Sequence, residues 1–151
     1  MDGMNNLEQF LHDRLDEDEA LAQNNGQWST SWQNFTMDGE LRDDANAGTV
    51  AYIPHEATRM HIARHDPARV LRETEAKRHL LDLHGIVHRN IGWQDSDSEV
   101  EYGELPVCGH CVPRNAHYLA REDVPEGPCV TVRLLALPYA DHLNYRDTWR
   151  P

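Results

Sequence analysis

Three cysteines are the feature that most constrains what this chain can fold into. Cys108 and Cys111 form a C-x2-C pair, and Cys129 follows a proline at the start of the last apolar run. Two cysteines separated by two residues can turn both sulfurs toward one tetrahedral ion, and Gly109 fits the tight turn between them. An odd number of cysteines without an export signal favours a metal over a disulfide framework. The pattern predicts one structural zinc ion held by these thiolates.

The fourth ligand is expected to be a histidine, because three thiolates and a neutral imidazole form a common structural zinc site. We predict His84, which ends a long helix where its ring can meet a loop that crosses the helix end. His88, His110 and His117 are alternatives, and His110 lies inside the turn, where its side chain would point away from the ion. Without a metal, the cysteines would be three buried or free thiols.

Composition indicates a thin hydrophobic core. The 151 residues suit one domain over residues 1–151, but 39% are hydrophobic, against roughly 45–50% in typical globular proteins. A bound metal would supplement such a core. The net charge of −12 argues against a phosphate-binding surface, so we expect no direct nucleic-acid contact. The acidity serves solubility, or else forms a surface that docks a basic partner or imitates DNA.

The expected compartment is the cytoplasm. No apolar run follows a basic start, as a signal peptide requires, and no stretch approaches the roughly 18–20 apolar residues of a membrane span. The expected partner is another protein, and neither its identity nor the oligomeric state can be read from the residues.

Apolar spacing predicts an α+β fold that begins with a helix and a small antiparallel sheet. Asn5 or Asn6 caps the N-terminal helix, whose apolar face is Leu7, Phe10, Leu11 and Leu15. Strands over 28–35 and 49–53 flank an Asp-Gly turn, and 41–48 is expected to be a polar loop. Trp28 and Trp32 are interpreted as lid or core, with a ligand platform as the alternative.

A long central helix is predicted from Asp66, its N-cap, and Pro67, its first residue, to His84, with Gly85 closing it. A short helix over 56–65 precedes it. After the helix we expect a connector over 94–104, either a loop or the edge of a hairpin. A short helix or strand over 131–136 and an aromatic tail over 139–149 that packs on the body should follow. Val130, Val132, Leu134 and Leu135 are expected to be buried.

Two enzymatic interpretations compete with a structural metal site. Cys-Gly-His-Cys resembles the redox motif of protein disulfide isomerases, which needs its first cysteine at a helix N-terminus and a thioredoxin-type sheet around it. His61 and His65 lie four residues apart on one helix face, a spacing that can bind metal in a small hydrolase or nuclease. Neither His has the Glu of an H-E-x-x-H motif, and we name no catalytic residue.

Three blocks of sequence stand out: HIARHDPARVLRE at 61–73 with EAKR at 75–78, FLHDRLDEDE at 10–19, and LLALPYADH at 134–142 continued by YR at 145–146 and WRP at 149–151. Together they resemble an uncharacterised family of small acidic proteins from Streptomyces-type actinobacteria and their phages. In that family a His after the long helix, a C-x2-C pair and a Pro-Cys recur, which implies His84, Cys108, Cys111 and Cys129 here. Leu143 departs from the family's usual Pro.

The leading hypothesis is therefore a non-enzymatic, zinc-stabilised binding or adaptor protein, linked to phages or mobile elements. Zinc would join the end of the long helix to the C-terminal segment. The hydrolase or nuclease and an acidic inhibitor that imitates DNA are the alternatives.

Overall fold

The computed structural model describes residues 2–94, 99–124 and 127–151 and confirms the α+β class. The chain divides into two compact units: a terminal unit, made of the chain up to Arg14 and Lys77–Pro151, and a central unit, Leu15–Ala76. The expectation of a single domain stays a prediction.

The helices are α1 (Asp2–Gln23), α2 (Glu56–Arg64), α3 (Pro67–Leu83) and α4 (Val130–Ala136). The strands are β1 (Trp32–Phe35), β2 (Glu40–Asp43), β3 (Thr49–Tyr52), β4 (Ile86–Gln94), β5 (Glu101–Cys108) and β6 (Tyr118–Ala120). Short 3-10 helices span Arg121–Asp123, Leu137–Tyr139 and Asp147–Trp149.

The central unit contains an antiparallel sheet of order β1-β2-β3. The Asp-Gly turn is confirmed, because Gly39 has a φ of +73° between β1 and β2, a conformation that glycine adopts without steric cost. The expectation that 41–48 is a polar loop is confirmed for 44–48 and was wrong for 41–43. Its first residues belong to β2, the middle strand, and Leu41 is buried. One apolar residue in a polar run is too weak a periodic signal to reveal a strand.

Trp28 and Trp32 are both half-buried. The sequence allowed them to be either lid or core residues or a ligand platform. The Trp32 indole donates to the Ser29 carbonyl at 2.9 Å, and the Trp28 ring lies 2.7 Å from the position that a Cβ on Gly48 would take. These contacts are those of packed side chains, which favours lid or core over a ligand platform.

The long helix follows its predicted signals closely. Asp66 accepts the Arg69 N–H at 2.8 Å through Oδ1, which makes it the N-cap, and Pro67 is the first helical residue. The helix ends at Leu83, just before His84 and Gly85. Gly85 does not adopt the left-handed conformation of a typical C-terminal glycine.

The terminal unit contains a second sheet, of order β5-β4-β6, of which the sequence indicated only a hairpin edge. The connector expected over 94–104, either loop or hairpin edge, is a hairpin edge from Glu101 onward, because Glu101–Cys108 pairs with β4 along its length. Residues 95–98 of the expected connector lie outside the described residues. Polar residues such as Asn90 and Glu104 stand opposite each other in this hairpin and interrupt the apolar pattern of both strands.

The core of the terminal unit joins this sheet to the following loop. Ile91, Val107 and Val112 are buried together. The expected apolar face of α1 is confirmed, since Leu7, Phe10, Leu11 and Leu15 are all buried. The predicted cap at Asn5 or Asn6 was wrong, because α1 begins at Asp2 and both residues lie inside it; no proline stops the helix from extending past them.

The aromatic tail packs as predicted. The Phe10 ring contacts the rings of Tyr139, His142, Tyr145 and Trp149, with 5.0 Å between the Phe10 and Trp149 centroids. The expectation for the segment before the tail was partly wrong. Residues 130–136 form a helix in which Val132 is buried, whereas Val130 and Leu134 are 55% and 51% exposed. A helix buries one face, and positions two residues from Val132 lie on the other.

Within the described part of the chain, none of the helices combines the length and the apolar character that a membrane span requires.

Candidate metal centre

The β4–β5 hairpin brings the first cysteine next to the end of the long helix. His84 still donates its N–H to the Leu80 carbonyl at 3.0 Å, as a helical residue does. Two residues later Ile86 begins β4, and its partner in the antiparallel register is Cys108. The Gly109 N–H donates to the Gly85 carbonyl at 2.9 Å. These bonds place the C-x2-C turn against the chain that follows His84.

Cys129 reaches the same place from the start of α4. It is the N-cap residue of that helix, with φ −62° and ψ 160°, and its side chain makes no capping hydrogen bond. The sulfur is therefore available to the cluster, and the extended backbone lets the chain turn from the preceding segment into α4.

The distances among the four side chains are compatible with tetrahedral coordination of one ion. His84 Nδ1 lies 3.5 Å from Cys108 Sγ, 3.6 Å from Cys111 Sγ and 3.5 Å from Cys129 Sγ. One ring nitrogen carries either one proton or one lone pair, so it cannot form three equal hydrogen bonds. Bonds of about 2.3 Å to sulfur and about 2.0–2.1 Å to nitrogen at a tetrahedral angle put these atoms about 3.6 Å apart. All four ligand atoms lie within 4.8 Å of one another.

The electrostatics of the cluster are compatible with a bound cation. Burial acts to raise the pKa of the Cys108 thiol, but the N–H groups of Cys111 and His110 donate to its sulfur and hold that pKa below its usual value. Burial raises the pKa of the Cys111 thiol to about 12, with the adjacent sulfurs of Cys108 and Cys129 adding to the rise. Three thiolates at this distance repel one another unless a positive ion lies between them. The residues present therefore fit a metal ion.

Burial differs among the four residues. Cys108 and His84 are 7% and 8% exposed, and Cys129 is half-buried. Cys111 is exposed as a residue, although its sulfur lies within the cluster, 3.6 Å from His84 Nδ1. Two of the ligand residues thus belong to the interior of the terminal unit, where a metal ion would join segments that are distant in sequence.

Of the histidines considered as the fourth ligand, the structure groups His84 with the cysteines. His88 and His117 are exposed and lie outside the cluster. The His110 ring packs against the His84 ring, with 4.8 Å between centroids, rather than joining the sulfurs. This placement agrees with the expectation that a residue inside the turn points away from the ion.

Arg89 supports the site in a way that the sequence did not indicate. Its guanidinium donates to the carbonyls of the loop that follows Cys111, at 2.7–3.2 Å; the acceptors are Val112, Pro113, Arg114 and Ala116. An arginine on a strand has no sequence signal that marks it as a clamp for a distant loop, so only the fold reveals this role.

The enzymatic interpretations find little support in the described residues. Cys108 ends strand β5 and turns follow it, whereas a thioredoxin-type motif needs a helix after its first cysteine. The rings of His61 and His65 lie 4.5 Å apart. In the described parts of the chain, however, neither belongs to a group of three or more residues that could hold a metal. Whether acidic side chains form a DNA-like double row stays a prediction.

The comparisons with known proteins point to one family. The family model DUF6221, described as a family of unknown function, matches residues 4–151, a range that includes all four residues of the cluster. A search of the curated proteins found no match, and neither did a search of the solved structures.

Proposed function

We propose that this chain, which belongs to DUF6221, a family of unknown function, is a non-enzymatic binding or adaptor protein built around one structural zinc ion. The proposed ligands are His84, Cys108, Cys111 and Cys129. The family match confirms the expectation, drawn from the sequence blocks, that this chain belongs to an uncharacterised family. The link to actinobacteria and their phages, the cytoplasmic location and the protein partner belong to the proposal.

The observation that carries the zinc assignment is the near-equal distance of His84 Nδ1 from three sulfurs, 3.5, 3.6 and 3.5 Å. Tetrahedral sites of thiolate and imidazole are typical of zinc, because this ion accepts borderline-soft ligands and has no other geometric preference. Four protein ligands leave no position for a catalytic water. This is the arrangement of structural rather than hydrolytic zinc sites.

A zinc ion at this position would stabilise the fold strongly. Structural zinc sites in small domains contribute on the order of 10 kcal/mol or more, comparable with the whole net stability of about 5–15 kcal/mol expected for a domain. A chain with 39% hydrophobic residues would depend on that contribution. A coordination shell without an open position argues for a structural zinc ion rather than a hydrolytic one. The role in binding is supported by a groove next to the metal centre.

Metal analysis of untagged protein tests the proposal. We expect close to one zinc per chain, lost in Cys129→Ser and His84→Gln. His110→Gln is the matched control, because its ring contacts His84 but lies outside the cluster; it should keep its zinc. Less than about half an equivalent in the unmodified chain, or equal loss in the two histidine variants, would contradict the assignment.

A further inference from the structure

A groove of about 790 Å³ lies in the terminal unit, next to the candidate metal centre. Its walls are the end of α3, the start of β4, the turn between Cys108 and Cys111, and the loop after that turn. The lining residues that matter here are Leu83, Val87, Arg89, Gly109, His110 and Arg114. Because Gly109 and His110 stand between Cys108 and Cys111, two of the proposed metal ligands, a bound metal ion would hold one wall of the groove in place.

Apolar side chains in this groove are exposed to solvent. Leu83 is 51% exposed and Val87 is 42% exposed, although the chain has few large apolar residues for its own core. Apolar surface concentrated in a concavity and surrounded by polar residues is typical of an interaction site. These side chains offer a place for one or two apolar groups of a ligand.

The charged groups of the groove are mainly basic, in a protein of net charge −12. Arg114 is exposed, and its guanidinium has no hydrogen bond or ion pair with any described residue. Arg89 donates to backbone carbonyls, and none of its hydrogen bonds within the described parts of the chain goes to a carboxylate. Asp82 is the acidic residue among those that line the groove. A ligand with negative charge would therefore complement this surface.

We propose that this groove binds an acidic peptide segment of a partner protein, with an apolar side chain on Leu83 and Val87 and a neighbouring carboxylate paired with Arg114. A peptide suits the site better than a small molecule, because the lining is open to solvent, whereas small-molecule sites enclose most of their ligand. This inference rests on the proposed function, since the metal-bound turn forms one wall.

The test uses zinc-loaded full-length protein and a displayed random peptide library. The unmodified chain should enrich peptides that carry Asp or Glu next to a large apolar residue. The best peptide, synthesised with a fluorescent label, should bind at least about tenfold more weakly to Arg114→Glu than to the unmodified chain. Arg72→Glu is the matched control, because Arg72 is an exposed helical arginine that does not line the groove; its affinity should not change.

Three results would overturn the inference. They are no enrichment of acidic peptides, equal binding of the labelled peptide by Arg114→Glu and the unmodified chain, and displacement of that peptide by octanoate as effectively as by the unlabelled peptide. The last result would indicate a small-molecule site. Zinc content measured on each sample separates this inference from the proposed function. One zinc per chain without peptide binding would sink the inference alone. A purified chain that holds no zinc would contradict the metal assignment, and peptide binding by that chain would show that the groove forms without the metal.

Discussion

The Gly109 N–H donates to the carbonyl of Gly85 at 2.9 Å, so the turn that holds two of the metal-cluster cysteines is bonded directly to the residue after His84. This bond holds His84, after the end of α3, close to Cys108 and Cys111, which lie at the end of β5 and in the turn that follows it. Interactions just outside the ligands commonly orient a metal site and strengthen it.

The first prediction concerns Gly109→Ala. A Cβ at this position would lie 3.3 Å from the Gly85 carbonyl oxygen and 3.5 Å from Val87 Cγ1, so the turn must move away from the chain after His84. We expect zinc to bind about tenfold more weakly, in line with other changes next to metal ligands, as measured by competition with a chromogenic chelator.

Gly127→Ala is the control for this substitution. A Cβ added at Gly127 would have no heavy atom of the described residues within 4 Å, and the φ of Gly127 is not left-handed. This variant should bind zinc as the unmodified chain does. Equal affinity in both variants would show that the bond between Gly109 and Gly85 does not support the site.

The second prediction concerns the aromatic tail. Trp149 is 5% exposed, and its ring lies against Phe10 and Tyr145. Truncating a buried aromatic side chain leaves a cavity, so Trp149→Ala should lower the free energy of unfolding by about 3–5 kcal/mol in denaturant titrations. Leu143→Ala, at a residue 88% exposed, should change it by less than about 0.5 kcal/mol. Similar effects from the two would mean that the tail does not pack on α1.

The third prediction concerns Asp43 in the central unit. Burial acts to raise the pKa of this carboxyl, but N–H donors, above all that of Ser29 together with those of Ala45 and Asn46, hold the pKa below its usual value. In Asp43→Asn one carboxylate oxygen becomes an NH2 group, which cannot accept from these donors. The variant should therefore melt at a lower temperature at neutral pH.

The pH dependence of that difference follows from the lowered pKa. A group with a lowered folded-state pKa stabilises the protein above its unfolded pKa, about 3.9 for Asp, and this stabilisation is lost as pH falls through the folded value. The difference in melting temperature between the unmodified chain and Asp43→Asn should thus be largest near pH 7 and should become smaller below about pH 4. Asp44→Asn, with one exposed hydrogen bond from Ser31, should show a much smaller gap. A gap that widens in acid would contradict this account.

Local chemical signals explain which parts of the molecule could be predicted from sequence. Asp66 and Pro67 mark the start of α3 because capping and proline geometry act within one turn. The grouping of His84 with the three cysteines could be predicted because very few residue types bind zinc. For 94–104 the sequence left a loop and a hairpin edge open, because the pairing of β4 with β5 joins polar residues such as Asn90 and Glu104 that carry no apolar alternation. The sequence left open whether 130–136 forms a helix or a strand. It therefore could not show that Val132 lies on the buried face while Val130 and Leu134 lie on the exposed one.

Zinc K-edge X-ray absorption of the purified protein tests the central claim most directly. The account predicts three sulfur neighbours at about 2.3 Å and one nitrogen at about 2.0–2.1 Å, with the nitrogen replaced or the zinc lost in His84→Gln. A shell of oxygen and nitrogen without sulfur, or a chain that is folded and carries no zinc, would contradict it.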